Sequence, residues 1–98
     1  MRTEADRVRA LARALARRYP GRTIEVRIPP WAAVQVGFGE GPSHSRGTPP
    51  NVVETDPETF LLLASGELSW DAADPARLRV SGAQAAELRR AFPFQEER

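Results

Sequence analysis

The stretch GPSHSRGTPPNVVETD, residues 41–56, holds the chain's only histidine and only asparagine, together with an arginine, two serines and a Pro-Pro pair. Nucleophilic, metal and anion chemistry all draw on such residue types. A serine nucleophile needs a base and a third group that orients the base. Ser43 and Ser45 flank His44 directly, a placement that in an extended loop does not aim either hydroxyl at the imidazole, and the chain has no second histidine. No catalytic residue is therefore expected. One histidine with Glu40, Glu54 or Asp56 lacks a spacing that fixes tetrahedral or facial geometry, so neither a metal nor another cofactor is expected. Glu54 and Asp56 fall on one side of a strand at period two, where a carboxylate pair could do acid-base work. The more economical reading assigns Asp56 or Thr55 to capping the next helix. His44, Arg46, the amides around Gly47 and the Thr48 hydroxyl form a candidate head-group or anion loop, since arginine makes forked charge-assisted bonds and glycine lets backbone approach closely. In the structural alternative, which is preferred, Arg46 pairs with Glu54 or Asp56, Thr48-Pro49-Pro50 stiffens the return and Asn51 satisfies loop backbone groups.

The rest of the chain must position these groups. Ninety-eight residues make one domain, 1–98, with a flexible tail at about 95–98. Twenty-five large apolar residues suffice for one compact core, but a large empty cavity within it would call for a ligand or a second copy. The absence of cysteine excludes thiol chemistry and disulfides from this chain. The longest apolar run, FLLLA at 60–64, is far short of the ~20 residues that span a bilayer, and Met1-Arg2-Thr3-Glu4 is not a signal-peptide start. A soluble, cytoplasmic protein without stable membrane insertion is expected. Eight arginines against three acids in residues 1–27, and one arginine against seven acids in 40–75, polarise a chain of net charge +1. Such runs are usually solvated surface.

Thr3 with Asp6 is a capping-box pattern opening a helix over about 3–18, whose apolar positions Val8, Leu11, Ala12, Leu15 and Tyr19 share one face. Tyr19-Pro20-Gly21 ends it. Thr23 to Ile28 alternates as a strand, Pro29-Pro30 breaks it, and Ala32, Val34, Val36 and Phe38 resume period two as an antiparallel partner. Residues 39–50 form a long loop, and Asn51 to Thr55 a third strand. Thr55 with Glu58, or Asp56 with Pro57, starts a helix that presents Phe60, Leu61 and Ala64 and stops at Gly66. Ser69 caps a short turn through Trp70, Leu78 and Val80 mark a fourth strand, and Ser81 with Gln84 is a capping box for a last helix ending at Pro93. The order gives an α+β fold: a mostly antiparallel four- to five-stranded sheet with helices packed on one face.

The run DPETFLLLASGELSWDAADPARLRVSGAQAAEL, residues 56–88, resembles the latter half of the sterol carrier protein type 2 domain through Ser65-Gly66-Glu67-Leu68, then Leu78, Val80 and Gly82. EVRIPPWAAVQ and GPSHSRGTPPNVVETD resemble a short bacterial subgroup related to it. The resemblance covers about residues 20–92 and implies a five-stranded sheet, helices over one face, and an apolar tunnel that takes acyl chains, phospholipids or sterols without converting them. A fifth strand would lie in Phe92 to Gln95.

The expected function is thus a non-enzymatic lipid-binding or carrier domain, its partner a lipid or fatty acyl ligand. Phe38, Phe60, Leu63, Trp70, Leu88 and Phe92 are the candidate pocket residues. A protein-interaction or scaffold domain with a collapsed tunnel, docking a partner through the 39–50 loop, is the alternative, and a homodimer is compatible with either. Nucleic acid is not an expected partner, because no recognised motif is present and Trp31 and Trp70 read as core or pocket lining.

Overall fold

Thr3 opens the first helix as the sequence predicts: the Asp6 amide donates to Thr3 Oγ1 at 3.0 Å and the Thr3 amide donates to Asp6 Oδ2 at 3.2 Å. Helix α1, Glu4–Arg18, buries Val8, Leu11, Ala12, Ala14 and Leu15 and turns its arginines away from that stripe. The computed structural model describes residues 1–39 and 50–96. His44, Arg46, Gly47 and Thr48 lie outside the described residues.

The same capping box produces a pH signature. Hydrogen bonds from the Thr3 backbone and then its side chain hold the Asp6 carboxyl below its ordinary value. A carboxyl depressed in the folded state stabilises fully above its unfolded pKa, about 3.9, and loses that contribution as pH falls through the folded value. Asp6→Asn is accordingly expected to melt below the parent at neutral pH and to close that gap as the pH drops well under 4. Thermal unfolding at the two pH values reads the difference.

Strand β1, Ile24–Ile28, runs antiparallel to β2, Ala32–Val36, with Ile24 opposite Val36 and Val26 opposite Val34. Pro29 and Pro30 form the turn between them, closed by the Trp31 amide donating to the Ile28 carbonyl at 2.9 Å. Strand β3, Asn51–Thr55, lies on the other side of β1, and β4, Leu78–Ser81, lies antiparallel beyond it, giving the order β2-β1-β3-β4. The β1–β3 pairing is parallel, so the sheet is mixed rather than wholly antiparallel. Period-two alternation is the same for either direction, and only the path of the chain between β2 and β3 decides it.

Ile24, Val26 and Ile28 are fully buried, joined on the inner face by Val36 and Val53. The opposite face carries Glu25, Arg27, Glu54 and Arg79. Arg27 contacts Glu25, and Arg79 meets Glu54 at 3.1 Å. Helix α2, Pro57–Ser65, starts with Asp56, whose Oδ1 accepts the Thr59 amide at 2.7 Å, and stops at Gly66 in the left-handed region, φ 85°. Of the two overlapping start signals, Asp56-Pro57 is therefore the one used. The Thr55 hydroxyl instead donates to the Arg77 carbonyl at 2.8 Å.

One expectation is corrected near the C-terminus. The last helix, Ala85–Ala91, is a 3-10 helix, and its N-cap Gln84 has no side-chain cap. Its buried residues Ala85, Leu88 and Ala91 recur at intervals of three, the period of a 3-10 helix, whereas α1 buries positions at the mixed three-four spacing of an α-helix. Ser81 stays in the β4 ladder opposite Val52, so the Ser81/Gln84 capping box does not form. Gly82, at φ 107°, turns the chain there, and a Cβ would sit 2.4 Å from the Pro50 carbonyl oxygen. The strand number falls within the four- to five-stranded sheet expected. Among the described residues the sheet has four strands, and Phe94 donates its amide to the Ala64 carbonyl at 3.0 Å, docking the terminal segment on α2.

Candidate functional site

Helix α2 ends in Ser65-Gly66-Glu67-Leu68, where the Gly66 amide donates to the Leu63 carbonyl and the Leu68 amide to that of Leu62, both at 3.2 Å. This turn folds Leu68 back beside Leu63. The 3-10 turn Trp70–Ala72 follows at once and brings the Trp70 indole to 6.1 Å from the Phe92 ring centroid. Phe94, tied to Ala64, holds Phe92 from the other side with rings 5.6 Å apart. Phe60 lies beneath, meeting Phe92 and Phe94 edge-on at 6.2 Å, an arrangement that aromatic quadrupoles favour.

These elements border an open cleft of about 310 Å³ whose apolar lining is Leu63, Leu68, Trp70, Phe92 and Pro93. Ser69, Asp71 and Arg89 supply its polar lining. Arg89 Nη2 meets Asp71 Oδ2 at 2.8 Å, and the Ser69 hydroxyl makes no capping hydrogen bond to the turn it precedes. The cleft thus brings apolar and polar side chains into one lining, a combination suited to an amphiphile.

The six candidate pocket residues separate into three groups. Leu63, Trp70 and Phe92 converge on this cleft. Phe60 and Leu88 are fully buried and support it from within the core. Phe38 sits elsewhere, packed on Tyr19 at 4.8 Å with the Arg90 guanidinium 5.1 Å over its ring. It borders a second cleft of about 230 Å³ with Thr23, Ile24, Gln84 and Glu87. Sequence reasoning did not single out Leu68, Arg89 or Pro93 for a site. The available signal was the Phe92-Pro93-Phe94 cluster following a helix stop, whose apolar side chains need a surface to cover.

A third cleft, about 240 Å³, is charged, with Glu54, Asp56, Arg77 and Arg79 among its lining. Arg77 reaches Glu58 at 2.9 Å and Asp56 at 3.3 Å, and the hydrogen bond to Glu58, then the nearby Asp56 charge, raises the Arg77 guanidinium pKa. Glu54 and Asp56 are both answered by arginine, and Asp56 is occupied as a helix cap. That arrangement gives both carboxylates a structural role. Trp31, read from sequence as core or pocket lining, is half-buried and packs against the hydrophobic core, with its indole NH donating to Glu4 at 3.3 Å and Arg9 5.8 Å over its ring.

Asn51 is the functional group that holds the fold's lower end together. It is 4% exposed, its Nδ2 donates to the Thr23 carbonyl at 3.1 Å and its Oδ1 accepts the Gln84 amide at 2.8 Å. One side chain therefore joins the start of β1, the start of β3 and the start of the last helix. Among the described residues, no helix is long and apolar enough to cross a membrane, and no group of three or more metal-ligating side chains is assembled.

A protein-family model described as bacterial SCP ortholog matches residues 1–94. No curated protein matches the chain.

Proposed function

We propose that this chain, which belongs to the bacterial SCP ortholog family, a sterol carrier protein-like family, is a non-enzymatic lipid-binding or carrier domain. Its cargo would be the acyl chain of a fatty acid or phospholipid, or the apolar body of a sterol. The observation that carries this reading is the cleft between α2, Trp70 and Phe92, lined by Leu63, Leu68, Trp70, Phe92 and Pro93 together with Ser69, Asp71 and Arg89. We place the apolar body there because Phe60, Leu88 and the inner residues of β1 are fully buried in the core and the cleft is lined mainly by less buried side chains.

The volume sets the scale of the cargo. About 310 Å³ is at the small end of ligand pockets, which run roughly 300–1,000 Å³. At ~30 Å³ per water-sized group it holds about ten such units, the length of a medium acyl chain. An open cleft covers only part of that chain. Burying about five methylenes at ~0.8 kcal/mol each yields roughly 4 kcal/mol, which corresponds to millimolar binding. Affinities in the high-micromolar to millimolar range are expected, suited to a carrier that releases its cargo.

Displacement of a fluorescent fatty acid tests the reading. Wild-type protein should enhance the probe's emission, and decanoate should reverse it. Leu68→Asp puts a charge on the apolar wall at a half-buried position, so it should weaken probe binding at least about tenfold while leaving the circular dichroism unchanged. A correctly folded wild type that binds no apolar probe, and carries none in native mass spectrometry, would overturn the proposal.

A further inference from the structure

We infer that Arg89 and Asp71 select the cargo by head group: Arg89 receives the carboxylate of a single-chain fatty acid, which takes the place of the Asp71 carboxylate on the guanidinium. This inference rests on the carrier reading and sharpens it to one ligand class. Both residues line the cleft together with its apolar side chains, and they form a 2.8 Å ion pair there; Ser69, also in the lining, makes no side-chain capping bond. An amphiphile whose chain lies along Leu68, Trp70 and Phe92 can bring its head to these groups.

The exchange is physically easy. The Arg89 side chain is 51% exposed and that of Asp71 74%, so their pair is solvated and weak. Asp71 can turn into water at little cost. A carboxylate tethered by its own bound chain is presented to Arg89 at high effective concentration, so it competes with Asp71 on comparable terms. The guanidinium fork matches the two carboxylate oxygens, and Ser69 adds a hydroxyl donor nearby. Asp71 then has two effects: it occupies Arg89 when the cleft is empty, and it opposes any anion that enters.

The test compares decanoate with 1-decanol, equal in chain length, as displacers of the same fluorescent fatty acid. The quantity read is the ratio of the two dissociation constants, decanol over decanoate. Arg89→Gln should lower that ratio about two- to fivefold, the range of an exposed ion pair, because the charged head loses more than the neutral one. Asp71→Asn should raise it by a similar factor by removing the competitor. Arg90→Gln removes the same charge one position away, where the guanidinium lies over Phe38 in place of the cleft, and should leave the ratio as it is. A ratio unmoved by Arg89→Gln and Asp71→Asn, or moved equally by Arg90→Gln, overturns the head-group assignment while the carrier reading stands. Failure of both compounds to displace the probe from wild-type protein overturns the carrier reading as well.

Discussion

Replacing Phe60 with alanine is expected to remove about 3–5 kcal/mol of stability, the range for truncating a buried phenylalanine. The ring is fully buried and is the largest such side chain in the molecule. It lies under the terminal segment, edge-on to Phe92 and Phe94, so its loss removes burial, leaves a cavity and deprives both neighbours of an aromatic partner. A domain of this size is typically stable by only about 5–15 kcal/mol. The variant should therefore lie close to the limit of folding. Urea denaturation checks it: the midpoint should fall sharply with the slope unchanged. A shift of less than about 1 kcal/mol would mean that the C-terminal aromatics do not pack on α2 as described.

Asn51→Asp should be comparably damaging at neutral pH, although it changes no side-chain volume. The amide NH₂ that donates to the Thr23 carbonyl becomes a second acceptor facing that oxygen, and a charge enters a site only 4% exposed. An unsatisfied buried polar group costs ~1–3 kcal/mol, and a charged one costs more. The sign of the pH dependence distinguishes this cause from general misfolding. Burial and the facing carbonyl raise the folded-state pKa of the introduced carboxyl above its unfolded value, so the penalty is full above the folded pKa and eases as pH falls through it. The protonated acid can donate to Thr23 as the amide did. Chemical denaturation from pH 7 to pH 4 should show the variant recovering relative to wild type, whereas Asn51→Ala should show no such recovery. A pH-independent deficit in Asn51→Asp would count against the hydrogen bond to Thr23.

Local chemistry was the legible part of this fold. Thr3 with Asp6 and Asp56 with Pro57 announce helix starts because a cap acts within one turn, and Ile24, Val26 and Ile28 announce a buried face because a strand alternates. What depends on distant partners was not legible. Nothing within IEVRI says that β3 runs parallel to it, and Val80, although it alternates with Leu78, remains 41% exposed because β4 is an edge strand. Asn51 resembles any polar residue at the foot of a loop until Thr23 and Gln84 are brought to it. The 3-10 character of the last helix was readable in principle from Ala85, Leu88 and Ala91, whose strict spacing of three differs from that of Val8, Leu11, Ala12 and Leu15.

The cleft has the same mixed history. Leu63, Trp70 and Phe92 are large apolar residues near helix ends, and such residues invite a pocket assignment wherever they occur. Their convergence requires two non-local events, the fold-back of Leu68 onto the end of α2 and the docking of Phe94 on Ala64. Phe38 carries the same hydrophobic signal at the opposite end of the sheet and packs on Tyr19 instead. Arg89 gives no signal in isolation, since an exposed arginine on a short helix is ordinary. Its interest comes from the apolar wall beside it and from Asp71 opposite.

The proposed carrier function puts an acyl chain in the cleft between α2, Trp70 and Phe92. A titration of isotopically labelled protein with decanoate, followed by amide and indole chemical shifts, tests it directly. Saturable shifts are expected at Gly66, Leu68, Ser69 and the Trp70 indole, with intermolecular contacts from decanoate methylenes to Leu63, Trp70 and Phe92, and little change at Thr23 or Gln84. Shifts confined to Thr23, Phe38 and Gln84, or no saturable shift anywhere, would contradict it.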